Sequence, residues 1–84
     1  MELTKQEFEV LWNIEEGISD TSQLQVFTNF NLEELKKILL KLEKLNLITI
    51  DKKFDKSYNE DYWNASTTEK AKETYKKYQK WIPE

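Results

Sequence analysis

The chain has 84 residues and contains no cysteine, no histidine and no arginine, with only one glycine and one proline. Each absence removes a class of explanation. Without cysteine there is no disulfide framework and no thiolate metal site, so folding must rest on an apolar core. Without histidine the commonest general base and the commonest metal ligand are both missing. One glycine and one proline leave little material for long loops, and a charged fraction of 35% built largely from Lys and Glu favours helix. Uninterrupted apolar runs stay short, as at Ile38-Leu39-Leu40, far below the length of a membrane span. The first ten residues, MELTKQEFEV, lack the basic stretch followed by an apolar stretch that marks a signal peptide. A soluble, cytoplasmic protein with no membrane partner is expected.

What is present is unevenly distributed. Residues 1–35 hold one Lys against eight acids, whereas residues 36–84 hold twelve Lys against eight acids, so an acidic half precedes a moderately basic one. The length allows one small core, and a single domain over 1–84 is expected.

Three helix starts are written in the same way. Thr4 with Glu7, Asp20 with Gln23 and Asn31 with Glu34 each place a capping side chain three residues before a polar partner. The first helix then carries Phe8, Leu11 and Ile14, with Val10 or Ile18, on an inward stripe, and Gly17 ends it. Leu3 can staple against Phe8. In the second helix Leu24 and Phe27, with Val26, are expected to face inward, and 28–30 form the turn to the third. In the run LKKILLKLEKLNLITI, Leu35, Ile38, Leu39, Leu42 and Leu45 recur at helical spacing, and then Ile48 and Ile50 recur at the two-residue spacing of a strand. Asn46 is the turn residue between them, suited to a left-handed conformation. Residues 53–61 are polar and turn-rich, and 62–66 supply a return strand. A last helix begins near 66–68, with Ser66 and Glu69 as a capping box and with Ala71, Tyr75, Tyr78 and Ile82 on one stripe. The fold class expected is mainly α with a small β-hairpin: a winged helix-turn-helix with a three-helix core, a two-stranded wing and a C-terminal helix.

The segments Leu3-Thr4-Lys5-Gln6, Leu42-Glu43-Lys44-Leu45-Asn46-Leu47-Ile48 and Thr67-Thr68-Glu69-Lys70-Ala71-Lys72-Glu73 resemble those of MarR-type winged-helix transcriptional regulators. That family carries an LTxxQ helix start, an LEKxGLI helix-to-wing junction and an LTEKGRE restart at similar intervals, and the resemblance covers nearly the whole chain. Asn46 and Ala71 stand where the family usually has glycine. The family's wing often holds Asp-Arg-Arg, with an arginine entering the minor groove; the nearest match is Asp55-Lys56-Ser57, which leaves Lys56 for that role. The family dimerises through extra terminal helices, whereas this chain has one short C-terminal helix through which a homodimer would have to form.

The resemblance implies double-stranded DNA as partner, with the 31–45 helix in the major groove and the 51–61 wing on the backbone. The candidate DNA-binding residues are Asn31, Lys36, Lys37 and Lys41 on the helix and Lys52, Lys53 and Lys56 on the wing. Against this stand the acids nearby. Glu33 and Glu34 sit at the reading end of the helix, where the plain structural reading makes Glu34 part of the cap and Glu33 an i,i+4 partner of Lys37. Asp51, Asp55, Glu60 and Asp61 offset the wing lysines. The alternative function is therefore a winged-helix protein-protein interaction module, of the phage or plasmid accessory type, that does not bind DNA. The lysines of the last helix, and Trp12 and Trp63, read as the wet face and the packing residues of an ordinary core. Adjacent carboxylates at 15–16, 33–34 and 60–61 diverge along the chain and form no acid-base pair, and there is no phosphate-binding glycine loop or metal-ligand cluster. No enzyme, no cofactor and no metal site is expected.

Overall fold

The computed structural model describes residues 2–82. Helix α1 (Lys5–Glu15) begins at the reciprocal cap expected of it: the Thr4 hydroxyl accepts the Glu7 amide at 3.1 Å, and the Glu7 carboxylate accepts the Thr4 amide at 2.9 Å. It ends at Gly17, whose φ of 103° favours glycine, with the amides of Gly17 and Ile18 folding back onto the carbonyls of Ile14 and Asn13. Helix α2 (Thr21–Thr28) starts where the Asp20 carboxylate accepts the Gln23 amide at 2.8 Å and stops at left-handed Asn29. Helix α3 (Leu32–Lys44) is capped by Asn31, which accepts the Glu34 amide at 2.8 Å. At its far end Asn46 takes a φ of 63°, and the amides of Asn46 and Leu47 return to the carbonyls of Glu43 and Leu42. Asparagine therefore does at the junction what a glycine would do, because it visits the left-handed region at modest cost.

Strands β1 (Ile48–Asp55) and β2 (Glu60–Thr67) pair antiparallel, Ile48 opposite Thr67 and Asp55 opposite Glu60. The hairpin is longer than the residues suggest. Only 56–59 form the turn, and the polar stretch 53–55 pairs with 60–62. A hairpin projecting into water needs the backbone ladder but no apolar alternation, so hydropathy is silent there. The tip is closed by Asp55, whose carboxylate accepts the Ser57 amide at 2.9 Å, and by Asn59 at φ 51°.

Two further contacts fix the wing to the helices. The Ala65 amide donates to the Ser19 carbonyl at 2.8 Å, beside a single bridge between Asp20 and Asn64, so the α1–α2 connection lies along β2. The Trp63 amide donates to the Thr21 hydroxyl at 3.3 Å.

Helix α4 (Glu69–Lys77) leads into a 3-10 turn, Gln79–Trp81. The expected Ser66–Glu69 box does not form. Ser66 is still in β2, opposite Thr49, and Thr68 is the cap residue; its hydroxyl donates to the Asn46 carbonyl at 2.6 Å and its amide to the Leu47 carbonyl at 3.0 Å. The restart of the chain after the wing is thus tied to the junction that began the wing.

The core is the inward face of α1 and α3 with Leu24 of α2 and Leu47 and Ile48 at the wing base; Leu11, Leu35, Leu39 and Leu42 are fully buried. The inward stripe of α2 differs from expectation: Val26 and Phe27 are 74% and 60% exposed, while Thr21 and Thr28 are buried with Leu24. Thr21, Leu24 and Thr28 share one face of an eight-residue helix; Val26 lies opposite it, and Phe27 lies at its edge, where with Phe8, Trp12, Ile18 and Trp81 it lines an open groove. The buried Thr28 hydroxyl is satisfied by the Leu24 carbonyl, so threonine can occupy the place assigned to phenylalanine. An aromatic layer joins α1 to the C-terminal segment: Trp12 meets Tyr75 edge-on at 5.2 Å, Tyr78 stacks on Trp81 at 4.8 Å, and Phe8 touches all four rings. The Tyr78 hydroxyl accepts the Leu3 amide at 3.0 Å. The stripe of α4 is spent on this contact. Among the described residues no helix is long and apolar enough to cross a membrane.

Candidate nucleic-acid interface

The candidate residues fall into three groups. Asn31 belongs to the helix cap. Its side-chain oxygen holds the Glu34 amide and its side-chain amide donates to the Glu34 carboxylate, so both ends of the group are occupied. The same contact places Glu34 in the cap, as its position suggested. Glu33 forms no ion pair with Lys37 among the described residues, and both are exposed.

Lys41 turns toward α1. Its ammonium sits 2.9 Å from the Glu7 carboxylate, whose side chain is only 13% exposed. Burial works against the charged form of Glu7, but the hydrogen bond from Lys41, the Thr4 backbone and the Lys41 charge outweigh it and hold this carboxyl below its usual value. One carboxylate therefore closes the first cap and ties α1 to α3.

On the wing, strand alternation separates two neighbouring lysines. Lys53 shares a face with Asp51, its partner at 3.6 Å, and with Tyr62 opposite; that face continues to Asp55 and Glu60. With Asp20, Ser22 and Gln23 of the α2 start, Asp55, Tyr58, Glu60 and Tyr62 line an acidic cleft. Lys52 lies on the other face, opposite Trp63. Lys56 is exposed in the tip turn, next to exposed Tyr58.

Lys36 and Lys52 come together. The ammonium of each lies 5.0 Å from the centroid of the Trp63 ring, one arriving from α3 and the other from β1. The wing face toward α3 thus carries Lys52, Phe54 and Trp63 with one acid, Asp61, while the face toward α2 carries Asp51, Asp55 and Glu60. Trp63 is the residue that the sequence did not single out for function. Its half-buried indole was assigned to packing, and nothing short of the strand register places it opposite Lys52. Among the described residues no group of His, Cys, Asp or Glu is arranged to hold a metal ion.

No protein-family model matches the sequence, and neither does any curated protein. Solved structures do resemble it. The zinc-responsive MarR family member ZitR of Lactococcus lactis superposes with a TM-score of 0.74 at 20% identity, over 95% of this chain and 54% of that one. A MarR protein from Peptoclostridium difficile gives 0.70 at 28% identity, over 93% of this chain and 50% of that one. The MarR family regulator AbsC of Streptomyces coelicolor gives 0.71 at 25% identity, over 93% and 53%. The chain spans about half the length of these regulators. Over that span, it has the winged-helix fold of the MarR-family regulators.

Proposed function

We propose that the chain is a DNA-binding winged-helix module of a transcriptional regulator, with the 31–45 helix directed at the major groove and the 51–61 wing along the backbone. The observation that carries this reading is the convergence of Lys36 from α3 and Lys52 from β1 on one side of the wing, beside the fold likeness to MarR-family regulators. Lys37, exposed one residue beyond Lys36, and Lys56, exposed at the tip, are the further cations that this reading assigns to phosphates. Lys41 and Lys53 contribute less, because each is already paired with a carboxylate. Of the acids of the first half, Glu33 and Glu34 stand in the first turn of α3 next to Lys36 and Lys37, and the others lie before, on or just after α1 and at the α2 start. A homodimer through the C-terminal helix would have to use its outward lysine-bearing face, since the stripe of α4 and the Trp81 and Ile82 that follow it are packed against the core.

The test is fluorescence anisotropy with a generic duplex across a salt series. Four lysines at phosphates give a log-log salt slope of about −3 to −4, so affinity falls roughly a hundredfold between about 50 and 200 mM salt. Reversing Lys37, Lys52 and Lys56 to Glu should abolish binding. A folded chain that does not bind duplex at low salt, or whose binding survives the three reversals, would overturn the reading and return the weight to a protein partner.

A further inference from the structure

We infer that Trp63 is a positioning residue for nucleic-acid contact: its indole holds the Lys36 and Lys52 ammonium groups together and presents helix and wing to the phosphate backbone as one unit. This inference rests on the DNA-binding reading above.

The geometry is specific. Two lysines from different elements each lie 5.0 Å from a single ring centroid, inside the range where an ammonium is attracted by the face of an aromatic ring, and tryptophan offers the strongest such face. The two charges are therefore within about 10 Å of one another, where like charges repel unless something offsets them. The ring supplies that offset. Trp63 is itself fixed: its backbone is paired with Lys52 across the hairpin, and its amide donates to the Thr21 hydroxyl at 3.3 Å. The indole is half-buried, so it can bear on α3 and on the wing at once.

The consequence is preorganisation. A free lysine side chain has many rotamers and loses that freedom when it meets a phosphate. Lys36 and Lys52 have surrendered part of it already. Each strand of duplex carries a phosphate for every ~3.4 Å along the axis, so two cations held within about 10 Å can meet neighbouring phosphates of one strand without rearranging the wing. Without Trp63, helix and wing would contact the backbone as independent cations.

The test is a double-mutant cycle on duplex affinity at low salt, with Trp63→Leu, Trp63→Phe, Lys36→Gln and Lys52→Gln alone and with each lysine change placed in the Trp63→Leu chain. Trp63→Leu is expected to weaken binding about five- to tenfold. Trp63→Phe, which keeps an aromatic face, should lose less. Each lysine change should cost markedly less in the Trp63→Leu chain than in the native one. The free native protein should also show the methylene protons next to both ammonium groups shifted upfield by the ring in its NMR spectrum. Full additivity of the lysine and tryptophan changes, or unshifted methylene protons, would overturn the positioning role while leaving DNA binding in place. A native chain that binds no duplex overturns the DNA-binding reading and this inference with it. Should Trp63→Leu fail to fold, the native proton shifts and the Trp63→Phe affinity still decide the matter.

Discussion

Asn46 is where helix becomes strand, and its backbone sets a measurable cost. At φ 63° an L-residue without a local side-chain hydrogen bond is strained by about 1–2 kcal/mol, glycine is not, and asparagine lies between. The hydrogen bonds made at this position belong to the backbone: the amide reaches the Glu43 carbonyl at 2.9 Å, and the carbonyl accepts the Thr68 hydroxyl. Both survive a side-chain change, so Asn46→Ala isolates the conformational term, at about 1 kcal/mol. Asn46→Gly relieves the strain but gives the unfolded chain more freedom, and the two effects nearly cancel. For a domain of this size about 1 kcal/mol moves Tm by about 4–8 °C. Thermal melts followed by circular dichroism should place Asn46→Ala lower by that amount and Asn46→Gly close to the native chain. Thr68→Val, which removes the hydroxyl bond to the Asn46 carbonyl, should cost about 0.5–1.5 kcal/mol by the same assay. An Asn46→Ala chain melting as high as the native one would refute the reading that asparagine serves this junction by tolerating the left-handed backbone.

Glu7 carries a pH dependence whose sign follows from its environment. Its carboxyl is held below the unfolded value, so the stabilisation is present above the unfolded carboxylate range and is lost as pH falls through the lower folded value. Glu7→Gln should therefore lower Tm at neutral pH and flatten the acid limb of a Tm-pH profile; an unchanged acid limb would contradict it. Lys41→Gln should also lower Tm, through loss of the 2.9 Å pair, yet change duplex affinity less than Lys37→Gln does, and equal effects on affinity would show that Lys41 leaves Glu7 on binding. The Tyr75 hydroxyl is buried with no well-formed hydrogen bond among the described residues, although the Glu15 and Thr67 side chains approach it, and burial, then the charge of Glu15, pushes its pKa up. Tyr75→Phe removes that cost, and urea titration should find the variant as stable as the native chain or more so. A loss of more than about 1 kcal/mol would mean that the hydroxyl has a partner after all.

The parts of the fold that were legible in the residues are those governed by local rules. Three caps, a glycine stop and a leucine stripe each depend on side chains within four positions, and each stands where the sequence put it. The failures have a common physical origin. Val26 and Phe27 were assigned to the core by hydropathy, but the face of α2 that meets the other helices is chosen by the packing angle of a short helix, and Thr21 and Thr28 satisfy that face through hydrogen bonds. The ends of the wing were misplaced because a hairpin in water is held by backbone pairing and needs no apolar signature. The arrangement of the candidate residues was hidden for the same reason. Lysines adjacent in sequence, Lys52 and Lys53, were grouped, whereas alternation sends them to opposite faces with opposite electrostatic surroundings. Lys36 and Lys52, sixteen positions apart and on either side of a turn, meet on Trp63 through a strand register that no local pattern specifies. Net charge over a segment is thus a poor guide to this surface. The wing has four acids to three lysines over 51–61, yet its pairing puts Asp51, Asp55 and Glu60 on the face away from Lys36 and leaves Asp61 as the one strand acid on the face that Lys36 and Lys52 share with Trp63.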